Sequence, residues 1–166
     1  HTAIFGDVIT QDRLVFNEAP VTVNRIEFNN TSARYVVAGT NAVNLAATTA
    51  PTPDNPSMSV VGTHEFQAPV SLDNDTAIDV SSDSVLTFNN ALRLNGFTAT
   101  KTGTGGLAVN NLLSTGGGLL DIQEGTLSGN GAVGGDVIND GGTLSPGSSV
   151  QTASSIPEPT SLGLLL

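Results

Sequence analysis

Apolar residues recur two positions apart along this chain: Val21 and Val23, Ile26 and Phe28, Val70 and Leu72, Ile78 and Val80, Leu86 and Phe88, Leu92 and Leu94, Leu107 and Val109. A period of two puts both members of a pair on one face of a strand. Each pair is bounded by Asn, Asp, Gly or Ser, the residues that turn a chain after a short strand. No run sustains the three-and-four spacing of an amphipathic helix. The pattern predicts an all-β chain of short strands from about Leu14 to Leu144. Helix is expected only in the last few residues.

Phrases also repeat. Ala19-Pro20-Val21-Thr22-Val23 returns as Ala68-Pro69-Val70-Ser71-Leu72. Phe28-Asn29-Asn30 returns, at a longer offset, as Phe88-Asn89-Asn90. Unequal offsets fit irregular coils with loop insertions better than a strict array. One insertion is legible between Ala46 and Ser57, which holds three prolines and no alternation. Proline removes a ladder donor, so this stretch reads as a loop or linker.

Beyond Lys101 the texture changes, and fifteen of the nineteen glycines fall between Gly103 and Gly163. Leu, Ile and Val continue between the glycines, which separates this region from a flexible Gly-rich tail. Glycine supplies positive φ at sharp corners, and Asn tolerates the same region. Stacked parallel coils would then align small inward residues in columns, with Thr and Asn near strand ends forming hydrogen-bonded ladders.

Three phrases carry a family resemblance: Lys101 to Val109 (KTGTGGLAV), Gly125 to Val137 (GTLSGNGAVGGDV) and Gly141 to Ser148 (GGTLSPGS). They resemble the autotransporter-associated β-strand repeat of bacterial surface passengers. That resemblance implies an irregular right-handed parallel β-helix, or solenoid.

The end of the chain carries a second one. Pro157-Glu158-Pro159 is followed by Thr160 and Ser161, then by Leu162-Gly163-Leu164-Leu165-Leu166. A Pro-Glu-Pro triplet, small polar residues and an apolar run resemble the PEP-CTERM sorting signal of exported bacterial proteins. The resemblance implies recognition of Pro157, Glu158 and Pro159 by an exosortase-type processing enzyme at the inner membrane. A full signal continues through a membrane span to a basic cluster, and a span takes about twenty apolar residues. Here five residues follow Ser161, and His1 opens the chain without a methionine or a signal-peptide core. We therefore expect a piece of a longer protein, open at both ends.

Charge narrows the partners. Five basic residues stand against fifteen acidic ones, for a net charge of −10, and none of the basic residues lies beyond Lys101. Such a surface repels phosphate backbones and anionic headgroups, so no nucleic-acid partner is expected. Cysteine is absent, which excludes disulfides, thiolate metal sites and cysteine nucleophiles.

Candidate chemistry is sparse. His64 is the single internal histidine, and its neighbour Glu65 must face the other way on a strand, so His64 reads as a solvated strand-end residue. Asp73, Asp75, Asp79 and Asp83 form the densest acidic cluster. Asp73-Asn74-Asp75 opens like a calcium loop, but Ala77, Ile78 and Ser84 occupy positions five, six and twelve. Asp73, Asp75 and Asp79 share one strand parity, which would suit a carboxylate row of the kind sugar-cleaving solenoids use. Turn-forming surface aspartates are the plainer reading. Tyr35 is the only residue among Tyr and Trp, too little for stacking sugar rings. Gly103-Thr104-Gly105-Gly106 and Gly134-Gly135-Asp136 lack the lysine and helix of a phosphate loop. Asn29, Asn30 and Asn74 meet the glycosylation sequon, which carries little weight in a bacterial protein.

These readings divide the chain into N-terminal β coils (1–45), a Pro-rich loop (46–57), a β-solenoid with autotransporter-type repeats (58–150), and a linker with a truncated sorting signal (151–166). The expected function is a non-catalytic exported envelope or matrix protein, without metal or cofactor. Its expected partners are an exosortase-type enzyme and, in the matrix, exopolysaccharide. Transient anchoring in the inner membrane should precede display at the cell surface or release. The alternative is a fragment of a β-helical carbohydrate-active enzyme or adhesin, with its groove outside this chain.

Overall fold

The computed structural model describes residues 1–48 and 54–147. Their eighteen strands all pair in parallel, and no helix occurs among them. Coil one is β1 (Thr2–Phe5), β2 (Arg13–Phe16) and β3 (Val21–Val23). Coil two is β4 (Arg25–Asn29), β5 (Tyr35–Ala38) and β6 (Val43–Leu45). Coil three is β7 (Ser57–Val61), β8 (Thr63–Phe66) and β9 (Val70–Leu72). Coil four is β10 (Thr76–Val80), β11 (Val85–Phe88) and β12 (Leu92–Arg93).

Coil five is β13 (Thr98–Thr102), β14 (Gly106–Val109) and the start of β15 (Leu112–Ile122). Coil six takes the end of β15, then β16 (Thr126–Gly129) and the start of β17 (Ala132–Asn139). The end of β17 and β18 (Thr143–Pro146) make two sides of a seventh coil. Each side stacks on the same side of the next coil, giving three parallel ladders and a parallel β-solenoid. β15 and β17 run through a corner and join the first and third ladders into one eleven-stranded sheet.

Alternation explains the core. In β10 the burial of Thr76, Ile78 and Val80 alternates with the exposure of Ala77 and Asp79. Registers align the inward residues coil upon coil, as in Ile26, Met58 and Ile78 on the first ladder. Val43, Val70, Leu92 and Leu113 form the matching column on the third. The repeat of the Ala-Pro-Val phrase is structural: Val21 pairs with Val43 and Val43 with Val70, so it recurs two coils up on one face. The repeat of Phe-Asn-Asn is a coincidence of composition. Phe28 lies in β4 on the first ladder and Phe88 in β11 on the second.

The Pro-rich stretch leaves the stack intact, because β4 pairs with β7 and β6 with β9 across it. Strand β7 begins at Ser57, the last residue assigned to the loop. Asn24 clamps the base, donating from Nδ2 to the carbonyls of Ala46 (3.3 Å) and Asp54 (2.7 Å). The corner after the first ladder uses positive φ in successive coils, at Gly62, Asp83, Gly103 and Gly125.

Candidate functional site

The expected ladder of polar side chains exists and runs up one edge of the solenoid. Asp12 accepts from the Arg34 guanidinium at 3.2 Å, and Arg34 reaches on to Glu65 at 3.3 Å. Glu65 Oε1 accepts from Gln67 Nε2 and Asn89 Nδ2, both at 2.7 Å. Asn110 donates to Asn89 Oδ1 at 2.8 Å, and Asn130 N–H reaches Asn110 Oδ1 at 3.3 Å. The carboxyl of Asp12 is held below its usual range, first by the Arg34 backbone N–H. Glu65 faces away from the core yet is only 8% exposed, because these partners cover it. These acids and amides tie coil to coil.

The aspartate cluster is not a row. Asp73 and Asp75 precede β10 in the corner, so only Asp79 lies on its outer face. Asp75 Oδ1 accepts the Thr98 backbone N–H at 2.8 Å, and Asp79 Oδ1 accepts the Thr102 hydroxyl at 3.1 Å. Asp83 sits at φ 58° in the turn that follows. Strand parity misplaces Asp73 and Asp75 because a corner interrupts the strand. Among the described residues, no group of three or more His, Asp or Glu is placed to hold a metal ion. Of the three sequon asparagines, Asn30 is buried, with Nδ2 donating to the carbonyls of Gly6 and Ile9.

His64 is a correction. Rather than solvated, it is fully buried and points inward from β8, stacked on the Phe28 ring at 4.7 Å. Nδ1 accepts the Tyr35 backbone N–H at 3.1 Å. Nε2 lies 3.0 Å from the Val61 carbonyl, so it carries the proton of a neutral ring. Burial lowers its pKa from 6.5, against smaller raising effects from the Val61 and Asn30 backbone. A second proton at Nδ1 would confront the Tyr35 N–H.

The unfolded chain therefore binds more protons below about pH 6.5, and the stability owed to neutral His64 declines as pH falls from there. Urea titrations at pH 7.5 and 5.5 should show a larger loss for the wild type than for His64→Gln. Equal losses in the two proteins would contradict this account of His64.

Lys101 stands out in the sequence only as the last cation. In the fold it is fully buried in the first-ladder column, between Ile78 and Ile122. Its Nζ donates to the carbonyls of Thr102 and Gly103 at 2.6 Å and of Glu124 at 3.2 Å. Desolvation lowers its pKa, opposed by attraction to Asp79 and Glu124. The signal is present in strand parity, since Ala99 two residues earlier is buried as well. Lys101 acts as an internal tie across a corner, and its buried ammonium has no path to a substrate.

Both ends of the solenoid are open. At the N-terminal end Phe5, Val15, Val21 and Val23 border an apolar hollow of about 150 Å³. At the C-terminal end a cavity of about 400 Å³ lies between Leu113, Leu127, Val133, Val137 and Leu144. The sorting triplet Pro157, Glu158 and Pro159, the apolar tail and the expected terminal helix lie outside the described residues. No helix among the described residues is long and apolar enough to cross a membrane. No protein-family model, curated protein or solved structure matches this chain.

Proposed function

We propose that this chain is a non-catalytic exported envelope or matrix protein, a β-solenoid spacer delivered by its C-terminal sorting signal. The observation that supports this reading is the use made of the polar side chains. Asp12, Arg34, Glu65, Asn89 and Asn110 bond between neighbouring coils, and Asp75 and Asp79 do the same. Such a stack extends by about 4.8 Å per coil and gains rigidity with every rung. A stiff spacer with an acidic, polar surface suits the space outside a cell, where exopolysaccharide is a compatible neighbour.

Delivery rests on the resemblance of Pro157-Glu158-Pro159 and the apolar run after it to an exosortase signal. In the intact gene the run should reach about twenty residues and end in Arg or Lys, which hold the cytoplasmic end of a span. The triplet would then lie on the outer side, within reach of a membrane-embedded enzyme. In a host with such an enzyme, Glu158→Ala should leave the unprocessed form in the membrane fraction. Cleavage and release at the wild-type rate would reduce the triplet to a linker and remove the localisation argument.

A further inference from the structure

The open C-terminal end has an occupant in this chain. Coil seven has two sides, β17 on the first ladder and β18 on the second, and its third side is missing from the described residues. Beneath the gap, Val133 is left 52% exposed and Leu144 51% exposed, on the rim of the 400 Å³ cavity.

Register says what should lie there. From coil to coil, the second and third ladders advance along the sequence by equal intervals. The step from Arg13 to Tyr35 on the second equals the step from Val21 to Val43 on the third. Thr63 to Val85 likewise equals Val70 to Leu92. The steps then shorten together: Val85 to Gly106 equals Leu92 to Leu113, and Gly106 to Thr126 equals Leu112 to Ala132. The one exception is the step across the Pro-rich insertion, where Val36 to Glu65 slightly exceeds Val43 to Val70.

The last step of the second ladder runs from Thr126 to Thr143, and the first ladder advances by the same interval from Leu119 to Asp136. Applied to the third ladder, that interval carries Ala132 to Ser149, Val133 to Val150 and Gly134 to Gln151. Val150 then continues the inward column of Val43, Val70, Leu92, Leu113 and Val133, with polar residues on either side of it. The connection has the right length as well. Gly129 pairs with Pro146, and the chain from Pro146 to Ser149 is as long as that from Gly129 to Ala132. Gly147 N–H already bonds the Gly129 carbonyl at 2.8 Å, which directs the chain along this course.

We propose that residues 149–151 form the third side of coil seven, with Val150 seated over Val133 as the seal of the apolar end. The inference does not depend on the sorting reading. It does place the seal before Pro157, so processing at the triplet would leave a closed solenoid behind.

The absence of cysteine makes the test direct. Paired parallel neighbours lie about 4.8 Å apart, within the Cα separation a disulfide spans. Ala132→Cys with Ser149→Cys in the full chain, oxidised at low concentration, should close an intramolecular disulfide in most molecules. The displaced pair, Ala132→Cys with Ala153→Cys, should close at least tenfold more slowly. Equal closure of the two pairs, or none in either, overturns the register. A disulfide-linked dimer also overturns it, because a second copy would then cover the end. Val150→Asp in the first pair should reduce its closure, whereas Gln151→Glu should not.

Discussion

Phe66→Ala should lower the unfolding free energy by about 3–5 kcal/mol, the cost of deleting a large buried aromatic side chain. The ring stacks on Phe88 at 5.3 Å and meets Phe28 edge-on at 5.8 Å. Phe28 in turn stacks on Phe5 at 4.6 Å and on His64 at 4.7 Å. This cluster joins the first and second ladders through the lower four coils. Removing its middle member leaves a void between rings anchored in rigid strands, where collapse is restricted.

Phe16→Ala is the comparison, because Phe16 is 63% exposed at the open end and should lose less than about 1 kcal/mol. Urea unfolding followed by circular dichroism reads both, as the chain has no Trp and one Tyr. A Phe66→Ala loss below that of Phe16→Ala would mean that the aromatic cluster is not the stabilising centre.

The fold was legible because strand alternation is a local signal that parallel stacking preserves. Ile78 and Val80, Leu86 and Phe88, and Leu92 and Leu94 are all buried together, as their spacing requires. The Ala19 and Ala68 phrases recur because they occupy one side of coils one and three. Residue type misled where it was read ahead of parity. His64 and Phe66 are two apart on β8 and so face the same way, inward, although histidine is commonly solvated. Lys101 followed the same rule with Ala99.

Corners were the opaque part. The Asp73 to Asp83 stretch leaves β9, turns, becomes β10 and turns again, so a single parity assigned across it has no meaning. Nor does sequence reveal that Asp12, Arg34 and Glu65, each about one coil apart, meet in space. That depends on the length of each coil, which shrinks along the stack from the Thr2-to-Arg25 step to the shorter Leu119-to-Asp136 step. The candidate site itself was legible only as a resemblance in the tail.

Gly125→Ala should be the most damaging single-methyl addition at a corner, lowering stability by about 3 kcal/mol through backbone strain and steric overlap together. Gly125 sits at φ +73°, where an L side chain costs roughly 1–2 kcal/mol in backbone strain alone. A Cβ there would run into the Gly105 carbonyl oxygen, and would lie 2.6 Å from the Gly103 carbonyl oxygen and 2.9 Å from Lys101 Nζ. Two of these obstacles are backbone of the coil below, fixed by the Thr126 N–H bond to Gly105 and by the Lys101 bond to Gly103. Relief would have to loosen the corner and its buried ammonium together, and leave carbonyls without a donor.

Asp83 serves the same corner in coil four at φ 58° with a side chain already present. Asp83→Ala therefore adds no new clash and should cost about 1 kcal/mol or less, while Asp83→Gly should be neutral or mildly stabilising. Denaturation midpoints of the three variants decide the matter. If Gly125→Ala unfolds at the wild-type midpoint, the corners do not stack as closely as the Lys101 tie requires.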